Sequence, residues 1–135
     1  MEQTKPAECV PQSKFDAEAV KRAASLGYPG INVILPDLLI WIQDMNWPVA
    51  GPVASLLAKA GPEIVPSVKA ALNSDDDVWK HNILFNLAPH FGGDVRDLIK
   101  AEVSRIADVP TPNEIAEEAS AAACDLLAHW DDPGR

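Results

Sequence analysis

A thirty-residue spacing recurs along the chain and constrains its fold more than any other feature. Asp16, Asn46 and Asp76 coincide when the sequence is shifted by thirty residues, and all three residue types are favoured at helix N-caps. Apolar and proline positions follow the same shift: Ala23, Val53 and Ile83; Ile34 and Ile64; Pro36 and Pro66; Leu38 and Val68; Ile42 and Leu72. One extra residue near Gly92-Gly93 restores the register from Val95 onward. The spacing therefore predicts helix pairs that stack, each burying its apolar face against the next.

Apolar residues at helical intervals predict about seven helices in a single domain, residues 13–130. The helices are expected to begin near residues 16, 31, 46, 63, 76, 94 and 112. Residues 1–12 are predicted to be an irregular arm and residues 131–135 a tail. No two segments alternate as paired strands do. The predicted fold class is all-α, an α-α superhelix of HEAT-like helix pairs; the alternative is an irregular all-α bundle.

Local signals place several helix ends and buried faces. Thr111 and Glu114 have the spacing of a capping box at the start of the last helix, which is predicted to run unbroken to Trp130 as a terminal cap. Leu98 is assigned to the buried stripe of the sixth helix and Ile115 to that of the last.

The acidic composition limits the partners that the chain can have. Eleven Lys and Arg against twenty Asp and Glu give a net charge of −9, which repels nucleic acid and anionic lipid and attracts basic proteins. The bland alternative is that this charge only keeps the protein soluble. The longest apolar run, residues 31–42, is shorter than the ~20 residues of a membrane span. With no signal-peptide pattern at the N-terminus and two cysteines read as free thiols, the expected location is the cytoplasm.

Aromatic and polar residues gather at two equivalent helix junctions, which form the candidate partner-binding site. The first junction contributes Trp41, Gln43, Asp44, Asn46 and Trp47, and the second contributes Asp75, Asp77, Trp79 and Lys80. Large aromatic contacts with a few orienting polar groups are typical of interface hot spots. The structural alternative is that the tryptophans pack between helices while Asn46 and Asp76 act as caps.

No sequence pattern indicates chemistry. The chain has no glycine-rich phosphate loop, nucleophile elbow or HExxH motif. Three consecutive Asp before a helix are better explained by capping and the helix dipole than by calcium, whose loops alternate their ligands. We therefore predict no catalytic residues, no cofactor and no metal.

The junction Leu72-Asn73-Ser74-Asp75-Asp76-Asp77-Val78-Trp79-Lys80 resembles the boundary between two short bacterial-type HEAT-like repeats. The earlier junction departs from that pattern because it has no basic residue. More closely, the chain is similar to an uncharacterised bacterial family catalogued as a domain of unknown function. The similarity is carried by three stretches: Lys14-Phe15-Asp16 with Leu26-Gly27-Tyr28-Pro29; Leu35-Pro36 with Trp41-Ile42-Gln43-Asp44-Met45-Asn46-Trp47-Pro48-Val49-Ala50; and Leu72 to Lys80. This resemblance implies a fold, but the family has no established activity that could be transferred to this chain.

These observations predict a non-enzymatic, acidic protein-binding module. The sharper hypothesis is an immunity-type protein that neutralises a basic bacterial toxin. Two alternatives remain: a small-ligand binder or enzyme that uses the corner of Trp41, Asp44, Trp47 and Trp79, and a structural adaptor.

Overall fold

The computed structural model describes residues 4–131, which contain helices and no strand. The all-α prediction is confirmed for this part of the chain, with eight α-helices where the sequence predicts about seven. They are α1 (Ala17–Leu26), α2 (Leu35–Leu39), α3 (Ala50–Leu57), α4 (Val65–Leu72), α5 (Asp77–Asn82), α6 (Gly93–Asp108), α7 (Pro112–Ala116) and α8 (Ala119–Trp130). None of the helices in this range is both long enough and apolar enough to cross a membrane.

Shorter helical turns extend several of these helices. Five are 3-10 turns, at Pro6–Cys9, Asn32–Ile34, Ile40–Ile42, Pro62–Ile64 and Ala88–His90, and the segment Ile83–Leu87 is π-helical. Pro36 and Pro66 occupy the second positions of α2 and α4. Because proline has no N–H to donate four residues back, the turn before each of these helices closes as a 3-10 turn. The helix predicted from residue 31 to 45 is therefore a short α-helix between two 3-10 turns.

The N-terminal segment is more ordered than the predicted irregular arm. Pro6–Cys9 forms its 3-10 turn against α1, and Cys9 is fully buried. The Nε of Arg22 donates a 2.8 Å hydrogen bond to the main-chain oxygen of Glu8. Residues 1–3 of the arm and 132–135 of the tail lie outside the described residues.

Two of the three predicted N-caps are confirmed, and the third is wrong. The carboxylate of Asp16 accepts from the N–H of Ala19 at 3.2 Å, and that of Asp76 from Trp79 at 2.9 Å. Asn46 is exposed and caps nothing, since α3 begins four residues later at Ala50. The intervening residues form successive turns instead. At the first junction, the thirty-residue register therefore aligns the residue type of Asn46 with those of Asp16 and Asp76 but does not align the helix start.

The capping box is confirmed, but the helix after it is broken. The Oγ1 of Thr111 accepts from the N–H of Glu114 at 3.1 Å, while Glu114 Oε1 accepts from the N–H of Thr111 at 2.8 Å. Glu118 has a φ of 64°, in the left-handed region, and separates α7 from α8. This break turns Ile115 outward, with 58% of its surface exposed. Its predicted burial is wrong, because α7 is too short to present a continuous apolar face.

Helices that are one pair apart contact each other along the chain. α1 packs on α3, α2 on α4 and α4 on α6, while α8 closes the end by packing against α5 and α6. The fully buried large side chains belong to a single cluster: Ile31, Leu35, Leu38, Leu39, Ile42, Leu57, Ile64, Leu72, Ile83, Leu84, Leu87 and Ile99. In α6 the predicted stripe holds except at Leu98, which is 48% exposed. The contacts do not fix the rotation from one pair to the next, so the HEAT-like superhelix stays a prediction.

Candidate functional site

The first predicted junction forms a compact corner at residues 41–47. The ring centroids of Trp41 and Trp47 lie 5.5 Å apart with their planes at 62°, an edge-to-face contact. The Oδ1 of Asp44 accepts a 2.9 Å hydrogen bond from the N–H of Asn46, a turn that aspartate favours. Asn46 is exposed, and the partly exposed residues of the corner are Trp41, Gln43, Asp44, Met45 and Trp47. The corner is therefore shaped by its own side chains.

Helix α5 is joined to this corner from the second junction. The indole Nε1 of Trp79 donates to the main-chain oxygen of Leu39 at 3.1 Å. The amide Nδ2 of Asn82 donates to the oxygens of Ile42 at 3.0 Å and Gln43 at 3.1 Å. Leu39 precedes the 3-10 turn Ile40–Ile42, and Ile42 and Gln43 lie at the end of that turn, where main-chain oxygens lack helical partners. The sequence singled out Trp79 and missed Asn82, whose only signal is an amide on the inward face of α5.

Lys80 belongs to a buried ionic network and not to the surface of the second junction. Its Nζ lies 2.9 Å from Asp77 Oδ1 and 3.0 Å from Glu114 Oε2, and its side chain is 5% exposed. Glu114 is fully buried and also accepts from Arg105, at 2.9 Å and 2.6 Å, in a two-bond pairing. We therefore correct the interpretation of Lys80 as a partner contact, because two carboxylates already occupy its ammonium group. Sequence reasoning saw the Glu114 capping box but had no signal for a contact thirty-four residues away.

The ionic network shifts the pKa values of Glu114 and Lys80. The Arg105 guanidinium is the strongest influence on the pKa of Glu114, and burial opposes it. Further hydrogen bonds from Thr111 and Lys80 leave this pKa lowered from 4.5 to about 2. Burial alone would lower the pKa of Lys80, but its bonds to Asp77 and Glu114 raise it above its ordinary value. Glu114 is therefore ionised and Lys80 protonated at neutral pH.

An open cleft of about 440 Å³ lies over this network, between the start of α5 and the turn before α7. Its lining residues are Asp75, Asp77, Lys80, Thr111, Pro112 and Asn113. Asp75 is exposed, whereas Asp77 is held by Lys80. The nine predicted site residues therefore divide into two groups. Asp75, Asp77 and Lys80 meet at the cleft. Trp41 and Trp47 meet at the corner, and Trp79 bonds Leu39, two residues before the corner begins.

The net charge of the described residues lies in one half of the chain. Residues 4–62 have five Lys and Arg and five Asp and Glu, whereas residues 63–131 have five against thirteen, a net charge of −8. In that second half Lys80 and Arg105 are paired with Glu114, and two more cations lie within 4.0 Å of carboxylates. The surface formed by residues 63–131 therefore attracts positive charge.

Within residues 4–131, no group of three His, Cys, Asp or Glu side chains is placed to hold a metal ion. His81 stacks on Phe85 at 5.5 Å between ring centroids. Cys9 and Cys124 are both free thiols, the first buried and the second exposed. Burial raises the pKa of Cys9, with a smaller opposing effect from Arg22.

Comparison with protein families decides the relationship of the chain. The model of a family described as a domain of unknown function, DUF5071, matches residues 9–127. The chain belongs to this family. The matched region of the DUF5071 domain includes both junctions, the ionic network and the cleft. A comparison with curated proteins found no match. Membership therefore confirms the uncharacterised-family resemblance at the level of the domain, and it brings no activity.

Proposed function

We propose that the chain is a non-enzymatic, acidic protein-binding module whose partner is a basic protein. The observation that carries this proposal is the surplus of eight negative charges in residues 63–131. Two of the cations in this half, Lys80 and Arg105, are paired with the buried Glu114. An acidic surface of this kind accelerates encounters with basic proteins and disfavours acidic ones.

The cleft above Lys80 is the part of this surface best shaped for a basic side chain. An incoming lysine or arginine would meet the exposed carboxylate of Asp75 and the side chains of Thr111 and Asn113. We place this module in the cytoplasm and describe its helix pairs as a HEAT-like superhelix, as the sequence predicts. The sharper form of the proposal is an immunity-type protein that covers a basic active site. The small-ligand, enzyme and adaptor alternatives stay predictions.

The test is capture of proteins from the source cells by the affinity-tagged full chain. We expect a basic protein to be retained at about 50 mM salt and released at about 300 mM, because surface attraction is screened by salt. Asp75→Lys should reduce the capture, whereas Glu18→Lys, an equal charge change on the exposed face of α1, should not. Capture of no basic protein, or capture that neither salt nor Asp75→Lys alters, would overturn the proposal. Protection of cells from a toxin encoded beside this chain would test the immunity form.

A further inference from the structure

An apolar groove of about 360 Å³ lies between α2 and α4, away from the acidic cleft. Its lining residues are Pro36, Leu39, Ile40, Pro66, Ser67, Ala70 and Trp79. Ser67 is the only lining residue whose side chain is polar throughout, and the Nε1 of Trp79 is already bonded to Leu39. The groove is therefore suited to an apolar side chain.

The α2 side of this groove exposes large apolar side chains. Ile40, on its wall, is 44% exposed, and Val33, one turn before Pro36, is 74% exposed. A contiguous apolar patch on a soluble protein commonly marks an interaction site. Covering these apolar side chains with an apolar partner surface would therefore be favourable.

The charges beside the groove indicate what covers it. Asp37 is exposed and follows Pro36 in the chain, and Asp76, also exposed, accepts a hydrogen bond from the main-chain N–H of Trp79. No Lys, Arg or His lines the groove. Lys69, beside Ala70 on α4, turns toward Glu102 on α6, 4.0 Å from its carboxylate. Two exposed carboxylates thus lie beside the apolar lining, and the cation beside Ala70 is paired with Glu102.

We infer that this groove is the docking site for an apolar side chain of the basic partner, on a segment with lysine or arginine on both sides. The inference rests on the proposed function and adds the place and the chemistry of the contact. A second copy of the chain is a poorer occupant, because it has the same net charge of −9. An anionic lipid surface is repelled for the same reason.

The first experiment uses two synthetic amphipathic peptides, one of leucine and lysine and one of leucine and glutamate, titrated into the ¹⁵N-labelled full chain. We expect the leucine–lysine peptide to shift the indole N–H resonance of Trp79 and the amide resonances of Ile40 and Ala70. The leucine–glutamate peptide should leave them unchanged. Equal binding of both peptides, or shifts confined to residues outside the groove, would contradict the inference.

The second experiment compares two matched variants with the protein captured by the wild-type chain. Ile40→Lys and Leu98→Lys make the same charge change at side chains that are 44% and 48% exposed, but Leu98 lies on α6 outside the groove. Ile40→Lys should weaken binding about tenfold, a typical effect at a hot spot, whereas Leu98→Lys should change it by less than about twofold. If Asp75→Lys weakens capture and Ile40→Lys does not, the proposed function stands and the groove is not the docking site. If the wild-type chain captures no basic protein, both fail.

Discussion

The indole nitrogen of Trp79 donates a hydrogen bond to the main-chain oxygen of Leu39, forty residues earlier in the chain. Leu39 is the last residue of α2, and Trp79 lies in the first turn of α5. Asn82, one turn further along α5, bonds Ile42 and Gln43 in the same segment. Side chains of α5 thus donate to three main-chain oxygens at and after the end of α2, which ties the two predicted junctions together.

Trp79→Phe should lower the free energy of unfolding by about 1 kcal/mol, because it removes the indole hydrogen bond to the Leu39 oxygen. Trp47→Phe is the matched control. It keeps an aromatic ring beside Trp41 at a partly exposed position, and we expect a change within about 0.5 kcal/mol. Urea unfolding of both variants measures the difference. Equal losses would show that the indole hydrogen bond is not what stabilises this contact.

Asp76→Ala and Asn46→Ala should differ although the two residues share a position in the thirty-residue register. Asp76 caps α5, so its replacement should cost about 1 kcal/mol. Asn46 is exposed and caps no helix, so its replacement should cost less than about 0.5 kcal/mol. The midpoints of urea denaturation provide the comparison. A large loss of stability in Asn46→Ala would indicate that Asn46 does act as a helix cap.

Glu114→Gln should destabilise the fold by about 3 kcal/mol, the low end for breaking a buried ion pair, because Asp77 still pairs with Lys80. The substitution removes the charge that holds Arg105 and weakens the capping box with Thr111. Glu117→Gln makes the same chemical change at an exposed residue immediately after the same helix and should have little effect. Unfolding by urea at neutral pH checks both variants, and similar stabilities for the two would contradict the role of the network.

The pH dependence of stability should change in the Glu114→Gln variant. The folded pKa of Glu114, about 2, lies below its ordinary value of 4.5, so the unfolded state binds the proton more readily. The stabilisation from this carboxylate is therefore complete above pH 4.5 and is lost as the pH falls toward 2. Between about pH 6 and about pH 3, the wild-type chain should lose more stability than Glu114→Gln. If the wild-type chain and Glu114→Gln lose the same stability over this pH range, Glu114 does not contribute to acid sensitivity.

Glu118→Gly should stabilise the fold by about 0.5–1 kcal/mol, even though glycine is the more flexible residue. Glu118 has a φ of 64°, a conformation that costs a residue with a Cβ roughly 1–2 kcal/mol and costs glycine almost nothing. Glu117→Gly is the control, since its φ of −91° is ordinary and the substitution should destabilise. Thermal unfolding followed by circular dichroism separates the two, and a lower melting temperature for Glu118→Gly would contradict this account.

The features that depend on neighbours in sequence were predicted well. The caps at Asp16 and Asp76 and the Thr111–Glu114 capping box follow from residue type and spacing alone. Asn46 has a residue type that favours helix N-caps, but the turns that follow Asp44 delay the start of the helix until Ala50. Residue spacing alone does not show whether a turn or a helix forms after such a residue.

The features that depend on distant residues were not predicted. Lys80 closely follows the acidic run Asp75 to Asp77 in the sequence, which suggests a surface position. Its burial depends on Glu114, thirty-four residues away, and on Arg105, which completes the pairing. A single sequence indicates which faces of the helices are buried, but not which polar groups meet between the helices. The ionic network, the cleft and the groove could therefore not be predicted from it.

The π-helical segment Ile83–Leu87 lies between the last position that fits the thirty-residue shift, Ile83, and the point where the register resumes one residue late, Val95. A π turn holds one more residue than the corresponding α turn. A bulge of this kind accommodates one additional residue inside a helix, upstream of the Gly92-Gly93 position that the spacing indicates, while Leu84, Leu87 and Val95 stay in the core. Removing one residue from this segment should straighten it into an α-helix and shorten the interval to thirty, so the length of this domain can change by one residue here without a new loop.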